Sequence, residues 1–228
     1  MKRNCLILLI VSLLILCGCA QLPAGVPSPA SGRGDVKILT QSGIKYGGGP
    51  TVHISGEVQN TGTSNLEYVK LDATFYDSEN NVIHRDPEWN WAHSVWIDVL
   101  LPGEKAPFFF LIIGLVKEYK SYSLTVTEVR QTTKQLYRDF EWLDQSSFIG
   151  ERGWYRVKGS IKNTGTQDVR LLTILVTFYD AEGKVVWLST AQLKEGLGAG
   201  ETASFEAQAI SYISSKIKSY SLKTDAIP

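Results

Sequence analysis

Gly56-Glu57-Val58-Gln59-Asn60-Thr61-Gly62-Thr63 recurs 103 positions later as Gly159-Ser160-Ile161-Lys162-Asn163-Thr164-Gly165-Thr166, and this recurrence decides how the 228-residue chain is read. At the same offset Thr74-Phe75-Tyr76-Asp77 returns as Thr177-Phe178-Tyr179-Asp180, Glu79 as Glu182 and Val82 as Val185. Further on, Leu101-Pro102-Gly103-Glu104 is echoed by Gly198-Ala199-Gly200-Glu201, and Lys120-Ser121-Tyr122-Ser123-Leu124 by Lys218-Ser219-Tyr220-Ser221-Leu222. Motifs kept in one order over a period of this length indicate two copies of one folding unit.

Each copy reads as β. Val52, Ile54, Gly56 and Val58 alternate with His53, Ser55, Glu57 and Gln59, the period-2 pattern of a half-buried strand. That pattern puts His53 on the polar, solvated side. The next strand puts Val69, Leu71, Ala73 and Phe75 on one face, and its second copy does the same with Leu172, Ile174, Val176 and Phe178. Asn-Thr-Gly joins the two strands, since Asn and Gly tolerate positive φ. Asp77-Ser78-Glu79-Asn80-Asn81 and Asp180-Ala181-Glu182-Gly183-Lys184 supply the following hairpin turns, and Pro-Gly-Glu or Ala-Gly-Glu precedes strands expected at 107–113 and 203–210. Short strands with closely spaced turns and no long amphipathic helix predict an all-β chain of two tandem immunoglobulin-like antiparallel β-sandwich domains, residues 37–130 and 135–228. The polar Gln131–Lys134 stretch separates them. Pro107-Phe108-Phe109-Phe110-Leu111-Ile112-Ile113 is apolar on both faces, whereas its counterpart Ser204–Ile210 alternates. The first copy therefore has one extra face to cover, against the second copy or another chain.

Ahead of the repeat, Lys2 and Arg3 precede an apolar run from Cys5 that ends in Leu16-Cys17-Gly18-Cys19. The run is short for a bilayer, which takes ~20 residues, and has the flanks of a secretory signal. It resembles the lipobox of bacterial lipoproteins. The resemblance implies a signal peptide at 1–18, acylation of Cys19, and a location outside the cytoplasmic membrane, anchored by lipid. With Ala20 rather than an acidic residue following, an outer-membrane location is expected in a diderm host and the cell surface otherwise. Residues 19–36, reading CAQLPAGVPSPASGRGDV, are rich in Pro, Ala, Gly and Ser and form a flexible tether. Arg33-Gly34-Asp35 within it suits an ordinary turn. All three cysteines fall in the signal and cleavage region, so the mature chain holds no thiol for a disulfide, a metal site or a nucleophile once Cys19 carries lipid. Of 23 basic residues, 21 remain beyond Lys2 and Arg3, against 23 acidic ones. With near-neutral charge and no basic run, nucleic acid is not an expected partner.

Gly-x-Val/Ile-x-Asn-Thr-Gly followed by Thr-Phe-Tyr-Asp resembles the FxLYD domain, an immunoglobulin-like sandwich of prokaryotic surface lipoproteins. The resemblance covers both copies, about 37–129 and 136–224. Ala73 and Val176 stand where the family has Phe, and Phe75 and Phe178 where it has Leu; both exchanges keep the strand face apolar. Membership implies an extracytoplasmic interaction module and no enzymatic activity or cofactor.

Candidate chemistry is sparse. A hydrolytic triad needs a histidine between a hydroxyl and a carboxylate. The three histidines, His53, His84 and His93, all lie in the first copy. His84, Asp86, Glu88 and His93 match no zinc spacing, and Asp77–Asn81 resembles a calcium loop only as far as a plain turn does. No catalytic residue, metal or cofactor is assigned. The copies differ most in an insertion: Asp77 to Gly103 spans 26 positions and Asp180 to Gly200 only 20. The extra residues fall around His84–His93, where Trp89 and Trp91, with Trp96 just beyond, stand among polar groups. Aromatic rings beside polar side chains either pack over a sandwich end or anchor a partner; Trp89, Trp91 and Trp96 are the candidate partner-binding residues. The chain is thus expected to be a non-catalytic binding or structural module of the cell envelope, attached to the membrane through Cys19, with an envelope protein or glycan as partner. The alternative is a carbohydrate- or peptidoglycan-binding module using segment 84–96.

Overall fold

Alternation along each strand pair sorts the side chains into two closed cores. The computed structural model describes residues 35–45, 51–86, 97–112 and 118–227. The described residues form twelve strands, one short 3-10 turn and one four-residue helix at Ser211–Ser214. The all-β expectation is borne out. Six strands belong to the first copy: β1 (Val36–Lys45), β2 (Val52–Asn60), β3 (Asn65–Tyr76), β4 (Val82–Asp86), β5 (Lys105–Ile112) and β6 (Ser121–Thr132). Six belong to the second: β7 (Phe140–Ile149), β8 (Tyr155–Asn163), β9 (Leu171–Tyr179), β10 (Val185–Leu193), β11 (Thr202–Ala209) and β12 (Ser219–Ile227). They make four three-stranded antiparallel sheets, ordered β1-β2-β5 and β4-β3-β6, then β7-β8-β11 and β10-β9-β12. The second set repeats the first strand for strand.

Between the sheets of the first copy lie Val52, Ile54, Val58, Leu71, Ala73, Phe75, Phe108, Phe110 and Leu124, all almost fully buried. The second copy packs Val157, Ile161, Leu172, Ile174, Val176, Phe178, Phe205 and Ala207 in the same places. The faces expected from the sequence for β3 and β9 are the ones buried. β3 and β6 both run twelve residues and stay paired from Tyr76↔Ser121 to Asn65↔Thr132, so the first copy extends two residues past position 130.

The repeated motif residues are explained by this geometry. Gly56 lies under a bulge of β1, where a Cβ would stand 2.1 Å from the Thr40 carbonyl oxygen and 2.4 Å from the Phe108 ring. Gly159 meets the Asp144 carbonyl at 2.4 Å and the Phe205 ring at 2.7 Å. Only glycine lets the bulged strand and the core phenylalanine approach together. Asn60 and Asn163 are fully buried. Asn60 donates to the Ser64 and Leu100 carbonyls (2.8 and 2.9 Å) and accepts from the Gly62 amide (3.0 Å). Asn163 donates to the Gln167 and Leu197 carbonyls (2.8 and 3.1 Å) and accepts from the Gly165 amide (3.1 Å) and the Tyr137 hydroxyl (2.6 Å). Each amide therefore clamps its own turn to the strand-like segment across the sandwich, and burying it carries little penalty because its hydrogen bonds are made.

Candidate functional site: the joint between the sandwiches

The outer face of β1-β2-β5 packs against the outer face of β10-β9-β12. His53, Ser55 and Glu57 point out of the first sandwich on β2, and Phe109 stands beside them on β5. From the other side come Val185, Trp187 and Tyr179. Ser55 Oγ donates to the Val185 carbonyl (2.9 Å), and Ser42 Oγ reaches the same oxygen. Tyr179 donates to Glu57 (2.8 Å) and is 3.0 Å from Ser221 Oγ. Burial pushes the Tyr179 phenol up to about 12, so it remains a donor throughout the physiological range.

His53 was expected in solvent; instead it is 1% exposed. The alternation identified its face correctly, but that face is covered by the second copy. Its ring lies 4.2 Å from Phe109 and 4.7 Å from Trp187, and Phe109 and Trp187 meet edge to face at 5.8 Å. Burial drives the His53 pKa down to about 3, so the ring is neutral at physiological pH. The doubly apolar β5 run has its explanation here: Phe108 and Phe110 fill the first core, and Phe109 fills the joint.

One edge of the joint is charged. Glu104 of the first copy receives Lys223 Nζ at 2.7 Å and an ion pair from Arg138, and its other carboxylate oxygen accepts the Leu101 amide at 2.9 Å. Burial would raise the Glu104 pKa, yet the Arg138 and Lys223 hydrogen bonds outweigh it and hold the carboxyl below its usual range. Asp225 accepts the Asp98 amide across the copies at 3.1 Å. Burial first, and then the neighbouring Asp98 carboxylate, push Asp225 up to about 6 against Arg138 and Lys223.

At the opposite edge the joint opens into a cleft of about 330 Å³. Phe109 of the first copy forms one wall. Trp154, from the turn before β8, forms another, and Trp187 and Leu188 of β10 lie between them. Ser189, Thr190 and the exposed Gln208 supply its polar groups. A wider groove of about 760 Å³ lies on the free face of β7-β8-β11, over Gly159 and Phe205, and carries Asp144, Lys158 and Glu206. There Glu206 is already paired with Arg156 (2.8 Å) and Lys158 (3.3 Å).

Cys19, Trp89, Trp91 and Trp96 lie outside the described residues, as do Glu88 and His93. His84 is on β4 with its ring 5.8 Å from Phe75. Among the described residues no group of three or more His, Cys, Asp or Glu side chains could hold a metal ion. Asp77, considered above as part of a calcium loop, turns Oδ1 onto the amides of Glu79 and Asn81 (2.9 and 2.8 Å); Asp180 does the same for Glu182 and Lys184 (3.1 and 2.8 Å). Sequence reasoning passed over Trp154 and Trp187. Each stands alone among ordinary strand residues, and only the docking of the copies brings them to Phe109.

No family model matches this chain, and no curated protein matches it. Solved structures similar to it include the Amycolatopsis orientalis exo-chitosanase CsxA E541A with PNP-β-D-glucosamine, at 14% identity and a TM-score of 0.29, over 82% of this chain and 25% of that one. The crystal structure of Amycolatopsis orientalis exo-chitosanase CsxA is similar at 14% identity and a TM-score of 0.28, over 83% and 26%. The chain spans about a quarter of the length of these proteins.

Proposed function

We propose that the protein is a non-catalytic binding module of the cell envelope, two FxLYD-type sandwiches held as one body and carried outside the cytoplasmic membrane by lipid on Cys19. One observation supports this reading above others: the repeated polar side chains are occupied in building the scaffold. Asn60 and Asn163 clamp turns, Asp77 and Asp180 close hairpins, and Glu104 and Glu201 hold the Leu101 and Gly198 amides at 2.9 and 2.8 Å. A scaffold that uses its carboxylates and amides this way presents surface instead of reactive groups. The serines, tyrosine and aromatic rings of the joint hold the two copies in one orientation, which suits the display of a composite surface.

The test is fractionation of the full chain and its Cys19→Ser variant, followed by pelleting of each with isolated cell envelope. The full chain is expected in the membrane fraction with a palmitate-analogue label that Cys19→Ser lacks, and both should sediment saturably with envelope. A persistent label in Cys19→Ser, or absence of saturable sedimentation, would overturn the reading.

A further inference from the structure

We propose that the cleft between Phe109, Trp154 and Trp187 is a carbohydrate site that takes a neutral pyranose unit; this rests on the binding-module reading above. Its walls include three aromatic residues, and its polar lining comes from Ser189, Thr190 and Gln208. None of the lining side chains is charged. A ligand that fits must therefore offer an apolar face for stacking, hydroxyl or amide groups at its edge, and no net charge to be left uncompensated. A neutral sugar ring has this combination. A phosphate-bearing or carboxylate ligand finds no cation in the lining, and a purely aliphatic one leaves the polar part of that lining without use.

The rings are also held in advance. Trp187 packs against His53 at 71° and Phe109 at 85°, so it cannot swing without disturbing the joint. Trp154 follows a tight turn in which Arg152 and Gly153 both take positive φ (63° and 74°), and its carbonyl accepts the Gly150 amide at 2.8 Å. Platforms fixed before binding lose little freedom when a ligand stacks on them. The volume of about 330 Å³ lies at the low end of the ~300–1,000 Å³ typical of small-ligand sites, which suits the end or one short stretch of a glycan. Phe109 is contributed by the first copy and the remainder by the second, so the site exists only while the sandwiches are docked.

The wider groove on β7-β8-β11 is the natural control. It is charged and open, and its Glu206 is engaged by Arg156 and Lys158.

The detergent-solubilised full chain should be titrated with N-acetylchitotetraose, cellotetraose, maltotetraose and mannotetraose, read by tryptophan fluorescence and calorimetry, with a neutral tryptophan-containing tetrapeptide alongside. At least one tetrasaccharide should bind saturably. Trp154→Ala should weaken it by about thirtyfold, as truncation of an aromatic anchor does, and Gln208→Ala by about threefold, as loss of an exposed hydrogen bond does. Lys158→Ala should leave it unchanged. Gln208 is exposed, so its variant keeps the fold if Trp154→Ala does not. The proposal is overturned if no tetrasaccharide binds up to about 10 mM, well into the weak range. It is equally overturned if binding ignores Trp154→Ala and Gln208→Ala, or if only the peptide binds. Envelope sedimentation of the full chain is a separate measurement, so failure at this cleft is distinguishable from failure of the binding-module reading.

Discussion

Acid should loosen the joint before it unfolds either sandwich, and His53 is the group that makes it do so. The free imidazole takes up its proton near 6.5, whereas burial between Phe109 and Trp187 lowers the folded-state value to about 3. Between those values the unfolded or undocked chain binds a proton that the docked chain refuses. Stability is therefore complete above pH 6.5 and declines as the pH falls toward 3. Two pH units below 6.5, at pH 4.5, the loss amounts to about 3 kcal/mol at 1.36 kcal/mol per unit. His53 is 1% exposed, so solvent screening takes little from that figure. Hydrating the ring requires only that the outer faces of β1-β2-β5 and β10-β9-β12 separate, which leaves both cores intact.

Asp225 acts in the opposite sense over an overlapping window. Its folded value of about 6 exceeds the free value of 3.8, so its destabilising charge is present at neutral pH and is relieved as the pH falls from 6 to 3.8. The wild-type curve alone mixes the two effects, and the difference from His53→Leu, a neutral side chain of similar size, isolates the histidine. Urea unfolding at pH 7.5 and pH 4.5 should show the variant gaining about 3 kcal/mol on wild type over that interval. The scattering radius of wild type, but not of the variant, should grow at pH 4.5 before circular dichroism changes. Parallel stability curves for the two proteins would refute the reasoning.

Asp225→Asn should stabilise the protein at pH 7.5 by about 1 kcal/mol, after allowance for its partial exposure, and have no effect near pH 3, measured by urea unfolding. Asn163→Ala should cost at least about 3 kcal/mol, because the Gln167 and Leu197 carbonyls and the Gly165 amide lose their partner in a buried turn; a thermal melt within a few degrees of wild type would contradict this. Gly56→Ala should cost more than about 3 kcal/mol, since the new methyl meets a backbone oxygen at 2.1 Å, whereas Gly103→Ala, with nothing within 4 Å but a φ of 78°, should cost only about 1 kcal/mol. Tyr179→Phe removes the 2.8 Å bond to Glu57 and should weaken docking by about 1 kcal/mol, seen as earlier exposure of Trp187 in a fluorescence-monitored urea titration.

The sandwich was legible wherever one face of a strand is buried and the other is wet. Val69, Leu71, Ala73 and Phe75 alternate cleanly, and their burial followed. The turns were legible because Asp, Asn and Gly act there through their own nearest backbone groups. The joint was legible only as a surplus: Pro107–Ile112 had more apolar side chains than one core needs, but nothing local says which surface receives them. For the same reason His53 was misplaced. Period-2 alternation separates two faces without revealing that a second domain covers the polar one. The cleft was illegible because Phe109, Trp154 and Trp187 come from three separate elements in two copies, and a dense aromatic cluster at 89–96 drew attention instead.

The repeat also shows how the outward faces of the two copies differ. By register, Ser55 and Phe109 at the joint correspond to Lys158 and Glu206 on the free face of β7-β8-β11; His53 and Leu111 correspond to Arg156 and Gln208; Glu57 and Pro107 correspond to Ser160 and Ser204. The framework residues of the two sheets are kept, with Gly56 matched by Gly159 and Phe108 by Phe205, while the outward residues change from aromatic and small to charged and polar. A third sandwich docking there in the same way would bury Lys158 and Arg156 against an apolar partner, at a desolvation cost that exceeds what the contact returns. On the outer face of β4-β3-β6, Asp72 stands where the docked sheet has Leu175. Both free faces thus carry charge where the docked pair carries Ser55, Phe109 and Leu175. Among the described residues, the aromatic joint reaches solvent at the cleft lined by Phe109, Trp154 and Trp187.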